Sequence, residues 1–258
     1  MKTLDGVIKL FQTLINTVAL ATCLLLLGYA AVCDWRTRRV RNHVWLLMVV
    51  CGLIIAAARW IYTAELLVTC LSLVAAFLLS LLLHALKVFG GADAKALICT
   101  SLLIPVNVSP SLTPLFVLTV FTDTLLLLGA VYLLIFSFNL VQSPKRGNMF
   151  QGFESESVWR KLTILLTCIR VNLNLAKNNK HLYPLKPPVD ENSVRGERPI
   201  PLEEDSSGRN PDMFTAPPYS PRSGVWCYVS KPLLPIILAS VIVSFFCGDL
   251  LLLLLNLF

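Results

Sequence analysis

Charge is scarce in this chain. Only 14% of its 258 residues are charged while 56% are hydrophobic, whereas soluble domains carry about a quarter charged residues. That shortage excludes an ordinary soluble domain and makes the bilayer the expected solvent. Paired cysteines are lacking too. Cys23, Cys33, Cys51, Cys70, Cys99, Cys168, Cys227 and Cys247 include no C-x-x-C pair. Most lie in apolar runs, where a free thiol behaves as a small hydrophobe, so neither a zinc site nor a disulfide framework is expected. The three histidines, His43, His84 and His181, are far apart and form no metal-ligand pattern. No metal and no cofactor is therefore expected. No internal repeat is visible, which argues against a transporter built from inverted halves. The net charge of +7 sits in short stretches beside apolar runs. That distribution fits membrane-flanking loops and argues against a nucleic-acid partner.

What is present is a series of long apolar runs. About 20 apolar residues are needed to cross the hydrocarbon core as a helix. Six spans are predicted, at 14–32, 44–62, 66–84, 94–108, 115–138 and 233–255. The fourth is the shortest and contains Pro105. The N-terminus has the outline of a secretory signal, but Val32 is too large to precede a lipoprotein-type cysteine. The arginines that follow act as a stop, so a first transmembrane helix is expected instead. The fold class is thus an all-α polytopic membrane protein with six transmembrane helices and a cytoplasmic loop domain between the fifth and sixth. Its expected parts are a five-helix membrane region at 1–140, a cytoplasmic loop at 141–231 and the sixth helix at 232–258. Arg36, Arg38, Arg39 and Arg41 place the first loop in the cytoplasm by the positive-inside rule, and both termini then fall outside. Within the long loop, 162–171 reads as an interfacial helix flanked by Arg160, Lys161 and Arg170. The alternation of Val171, Leu173 and Leu175 with asparagines also permits a strand. The stretch 184–221 is rich in Pro, Ser, Glu and Arg and is expected to be flexible.

Two aspartates then stand out. Asp34 closes the first span and Asp93 opens the fourth, in Phe89-Gly90-Gly91-Ala92-Asp93-Ala94-Lys95. Taken singly, Asp34 reads as a boundary carboxylate paired with nearby arginines. Asp93 reads as a helix N-terminal acid favoured by the helix dipole. Taken together, the topology puts both at one membrane face. Two carboxylates held close cannot both ionise easily, so one keeps its proton at higher pH. The pair then holds a base to activate water and an acid to protonate a leaving amine. Peptide hydrolysis needs those two roles and no cofactor. Gly90 and Gly91 would permit close backbone approach and unusual dihedrals beside the pair.

These segments resemble the type IV prepilin peptidases, above all the archaeal preflagellin peptidases. Cys33-Asp34-Trp35-Arg36-Thr37-Arg38-Arg39-Val40-Arg41-Asn42 is similar to that family's aspartate followed by basic residues, an aliphatic residue and an asparagine. Gly90-Gly91-Ala92-Asp93-Ala94-Lys95 is similar to its G-x-G-D motif with a following lysine. The segment from Val225 to Pro235, with Trp226 and two prolines, resembles the lead into the last helix. The resemblance implies an aspartic endopeptidase that removes the short basic leader from type IV pilin-like or archaellin precursors at the cytoplasmic face. It implies Asp34 and Asp93 as catalytic residues, supported by Gly90, Gly91, Ala92, Lys95, Arg36 and Asn42. The cysteine-bearing cytoplasmic domain of many bacterial relatives is lacking, so cleavage without N-methylation is expected. The motif's second glycine is Ala92 here. Alanine would be strained there if a positive φ were needed, and tolerance is expected because alanine is the least disruptive replacement.

Asp123 and Asp249 form the competing reading. Ionisable residues inside spans are costly and are functional suspects. A small ion-coupled carrier would use these two, and a non-catalytic membrane scaffold would use neither pair. The alternatives expected for Asp123 and Asp249 are an approach to one another, or a bond from a protonated carboxyl to a neighbouring Ser or Thr.

Overall fold

The computed structural model describes residues 2–63, 66–86, 89–142, 150, 153, 156–172, 175–176, 182–185 and 225–256. They divide between two compact units: Met1–Leu128 with Pro232–Phe258, and Gly129–Lys231.

The first unit contains α1 (Lys2–Thr37), α2 (Asn42–Thr63), α3 (Leu66–Ala85), α4 (Gly91–Leu103), the first half of α5 (Phe116–Gln142), and α7 (Leu233–Phe246) with α8 (Leu250–Leu255). Four stretches are long and apolar enough to cross a membrane: Lys9–Thr37, Asn42–Tyr62, Leu66–Ala85 and Phe116–Gln142. This is a mostly helical, multi-pass membrane protein. Large apolar side chains point outward, such as Leu67 at 78% and Ile61 at 72% exposure, as lipid-facing positions do. The helices meet instead through small residues. Thr69, Ser72, Ala76 and Ser80 run down the buried side of α3, a spacing that lets helix backbones approach closely in lipid. Gly52 does the same for α2, since a Cβ there would lie 2.7 Å from the Leu102 side chain.

Two predicted spans differ from expectation. The fourth, expected at 94–108, is a helix of 13 residues, Gly91–Leu103. It stops because Ile104 turns extended (φ −130°, ψ 90°) ahead of Pro105, the conformation a following proline favours. The chain then loops back through a bridge between Val106 and Leu115. Asn107 ties that loop, donating through Nδ2 to the Thr113 carbonyl at 2.6 Å and the Thr119 hydroxyl at 2.9 Å. The sixth, expected at 233–255 as one helix, is broken into α7 and α8. The break falls at Gly248, whose φ of +86° suits glycine and whose α-carbon faces the Pro110 carbonyl.

The second unit corrects the all-α expectation. It contains the remainder of α5, α6 (Val158–Thr167) and an antiparallel sheet in the order β1-β3-β2, from β1 (Cys168–Val171), β2 (Leu182–Pro184) and β3 (Val225–Val229). The helix expected at 162–171 is Val158–Thr167. The strand is Cys168–Val171, and it shares only Val171 with the alternation of Val171, Leu173 and Leu175: Leu173 lies outside the described residues and Leu175 is helical. Trp226, the aromatic of the segment before the last helix, is buried with Phe153, Ile164, Cys168 and Leu185. Asn139 of α5 donates to the carbonyls of Leu165 at 2.8 Å and Cys168 at 2.7 Å, fixing the turn from α6 into β1. Of the stretch expected to be flexible, 186–221 lies outside the described residues, as do His181, Glu154, Glu203, Glu204 and Asp205.

Candidate active site

Asp34 lies in the last turn of α1, and the helix stops one turn later. Arg38 takes a left-handed conformation (φ 57°), and its N–H donates to the Asp34 carbonyl at 3.1 Å. Glycine or asparagine usually holds that capping position, because a side chain there is strained. Thr37 adds a second fastening, its hydroxyl donating to the carbonyls of Cys33 at 2.9 Å and Arg39 at 3.1 Å. The turn therefore fixes where the arginines project relative to Asp34.

Asp93 lies in the first turn of α4, three residues after the capping Gly90. Its Oδ2 accepts from the Gly90 N–H at 3.1 Å, and this satisfies one of the orphan donors at the helix start. Gly90 is needed for space rather than for unusual dihedrals. Its φ of −74° and ψ of 164° are ordinary extended values, but a Cβ would stand 3.3 Å from Asp93 Oδ2. Gly91 has neither requirement, since a Cβ there meets nothing within 4 Å. Ala92 sits in regular helix, and Arg38 is the one non-glycine residue with positive φ among the described residues. The third motif position thus asks nothing of its residue that alanine lacks.

α1 and α4 pack together, and Asp34 and Asp93 lie at the same end of this pair. Burial pushes the Asp93 carboxyl up to about 7, against the pull of the Gly90 hydrogen bond. The charge on Asp34 adds to the rise, and the charge on Arg38 opposes it. One carboxyl of the pair thus holds a proton near neutrality, the protonation state a water-activating dyad requires.

The structure joins two more of the predicted residues. Lys95 Nζ donates to Asn42 Oδ1 at 2.9 Å, which ties the first turn of α4 to the first residue of α2 beside the aspartates. Arg36 is exposed, and among the described residues no hydrogen bond or ion pair joins it to either aspartate. Arg38 is the residue that sequence reasoning undervalued by reading it as a topological anchor. The left-handed turn, invisible in a run of arginines, and the action of its charge on Asp93 distinguish it from Arg39 and Arg41.

Asp123 and Asp249 do approach one another, at the far end of the same unit. Both are buried, at 0% and 2% exposure. Asp123 accepts from the Ser244 hydroxyl at 2.7 Å and the Leu250 N–H at 3.0 Å. Asp249 accepts from the N–H groups of Leu251 at 2.9 Å and Leu112 at 3.4 Å. All four carboxylate oxygens are committed to donors exposed by the α7–α8 break and the loop beside it. This pair ties the α7–α8 break to α5 and to the loop beside it.

A model of the type IV leader peptidase family matches residues 21–138, the membrane part that carries both Asp34 and Asp93. That region of the chain belongs to the type IV leader peptidase family. The chain is by class an aspartic prepilin leader peptidase. No curated protein matches the sequence.

Proposed function

We propose that Asp34 and Asp93 are the catalytic pair, and that the substrate is a type IV pilin-like or archaellin precursor whose short basic leader is cut at the cytoplasmic face. The observation that carries this reading is the pair itself: two carboxyls at one end of α1 and α4, close enough for the charge on Asp34 to raise the proton affinity of Asp93. In the reactive state the two share one proton. The ionised carboxylate takes a proton from a water held between them. The resulting hydroxide adds to the scissile carbonyl carbon, and the C–N bond breaks as the neutral carboxyl gives its proton to the leaving amine. The Lys95–Asn42 bond and the Arg38 turn hold the two helix ends in register. Gly90 keeps the approach to Asp93 clear.

The test is cleavage in membranes. The chain is co-expressed with a precursor pilin or archaellin from the same genome, and leader loss is followed by gel shift. Asp34→Asn and Asp93→Asn abolish cleavage, whereas Asp123→Asn and Asp249→Asn retain it. Cleavage by both Asp34→Asn and Asp93→Asn overturns the assignment.

A further inference from the structure

At the opposite end of α1 and α2 lies a feature that peptide cleavage does not use. A polar cavity of about 340 Å³ is bounded by Lys9, Gln12, Thr13 and Asn16 of α1, Arg59 of α2 and the 105–108 loop. It falls within the size range of small-ligand pockets, about 300–1,000 Å³. Its wall carries two cations, and among the described residues none that lines it is acidic. Arg59 is 2% exposed, and its Nη2 donates to Asn16 Oδ1 at 3.2 Å. An arginine this closely covered by protein, at the end of a membrane helix, holds its charge against the wall of the cavity rather than in open solvent. Asn107, whose Nδ2 is committed to the loop, also lines the cavity, and its buried Oδ1 has no hydrogen-bond partner. The cavity therefore offers cations for an anion and an acceptor for a donor group beside it.

Its depth identifies the source of such a ligand. Trp60 and Tyr62, which follow Arg59 in the last turn of α2, are exposed at 59% and 51%. Tyr62 stacks on Phe11 of α1 with centroids 4.9 Å apart. Exposed Trp and Tyr at the end of a span mark the headgroup level of a bilayer. Lys9 and Asp34 are about 38 Å apart along α1 at ~1.5 Å per residue, so the cavity serves the leaflet opposite the aspartates. We propose that this cavity binds the headgroup of a phospholipid, with Lys9 and Arg59 on the phosphodiester and Asn107 Oδ1 accepting from a hydroxyl or ammonium of the same headgroup.

Native mass spectrometry of the purified full-length chain in detergent tests this. The probes are phosphatidylglycerol, phosphatidylcholine (which has the phosphate but no headgroup donor), diacylglycerol (which has a hydroxyl but no phosphate) and inorganic phosphate. Retention is expected to fall in the order phosphatidylglycerol, phosphatidylcholine, diacylglycerol. Arg59→Gln should weaken phosphatidylglycerol binding about tenfold and Lys9→Gln about threefold, as loss of charge-assisted bonds predicts. Asp34→Asn should leave it unchanged. Equal retention by wild type and Lys9→Gln overturns the proposal, and because Lys9 is exposed that variant decides even where Arg59→Gln does not fold. Displacement of phosphatidylglycerol by millimolar inorganic phosphate assigns the cavity to a soluble anion and overturns its lipid origin.

Discussion

The first unit holds two pairs of aspartates, and their surroundings differ in what they leave available. Asp123 and Asp249 are fully buried and give all four oxygens to donors at the α7–α8 break and the adjoining loop. Asp34 and Asp93 are half-buried at a membrane face, and Asp93 gives one oxygen to the N–H at its own helix start. A buried carboxylate with a donor on each oxygen holds those donors in place, whereas Asp93 stands beside the Asp34 charge at the membrane face with its proton affinity raised. Burial and hydrogen bonding together separate the two pairs.

The largest expected effect sharpens that contrast. Asp34→Asn and Asp93→Asn should each lower the cleavage rate by at least about a hundredfold to ten-thousandfold, the range for loss of a positioned acid or base, with little change in thermal unfolding. Asp123→Ala should do the reverse. It strands the Leu250 N–H and the Ser244 hydroxyl, and each buried donor left unmatched costs about 1–3 kcal/mol. Thermal unfolding in detergent, read alongside the gel-shift assay, separates the two outcomes. A stable, inactive Asp123→Ala would break the comparison.

The pH dependence comes next. With its carboxyl raised from 3.8 to about 7, Asp93 binds a proton more tightly in the folded chain than in the unfolded one. Its contribution to stability is complete below pH 3.8 and is lost as pH rises toward 7. Asp93→Asn should flatten that slope in unfolding measured across pH. Cleavage by wild type should fall as pH rises above about 7, where the shared proton leaves. Arg38→Gln removes a cation that opposes the rise, so it should move this alkaline limb to higher pH. Arg38→Lys should hold the limb in place. A pH–rate profile that is the same in wild type and Arg38→Gln excludes an electrostatic role for Arg38.

Smaller effects test the frame around the pair. Lys95→Ala should cost about 0.5–1.5 kcal/mol, the usual net worth of one hydrogen bond. Asn42→Ala added to it should cost little more, because both act on one bond; a double-mutant cycle on unfolding measures the difference. Ala92→Gly should lower stability by about 0.5–1 kcal/mol, the cost of glycine within a helix, and leave cleavage intact. A gain in cleavage there would show that alanine constrains the motif.

Much of this protein was legible from residue order. Long apolar runs with few charges mean helices in lipid, because an unpaired backbone in hydrocarbon is too costly for other spanning forms. The spacing of Asp34 and Asp93 relative to those runs puts both carboxyls at one face. Hydropathy reports burial in lipid but not backbone direction, and the misreadings follow from that. It carried the last helix through Gly248 and the fourth past Ile104. It permitted a strand from Val171 onward but not the three-stranded sheet, whose partners Cys168–Val171 and Val225–Val229 are far apart in sequence. What tertiary structure alone decided is which polar groups meet. Ser244 and Leu250 reach Asp123 across more than a hundred residues, Asn42 reaches Lys95, and a left-handed turn singles out Arg38. Such pairings depend on distances set by helix packing, and no local pattern in the chain encodes them.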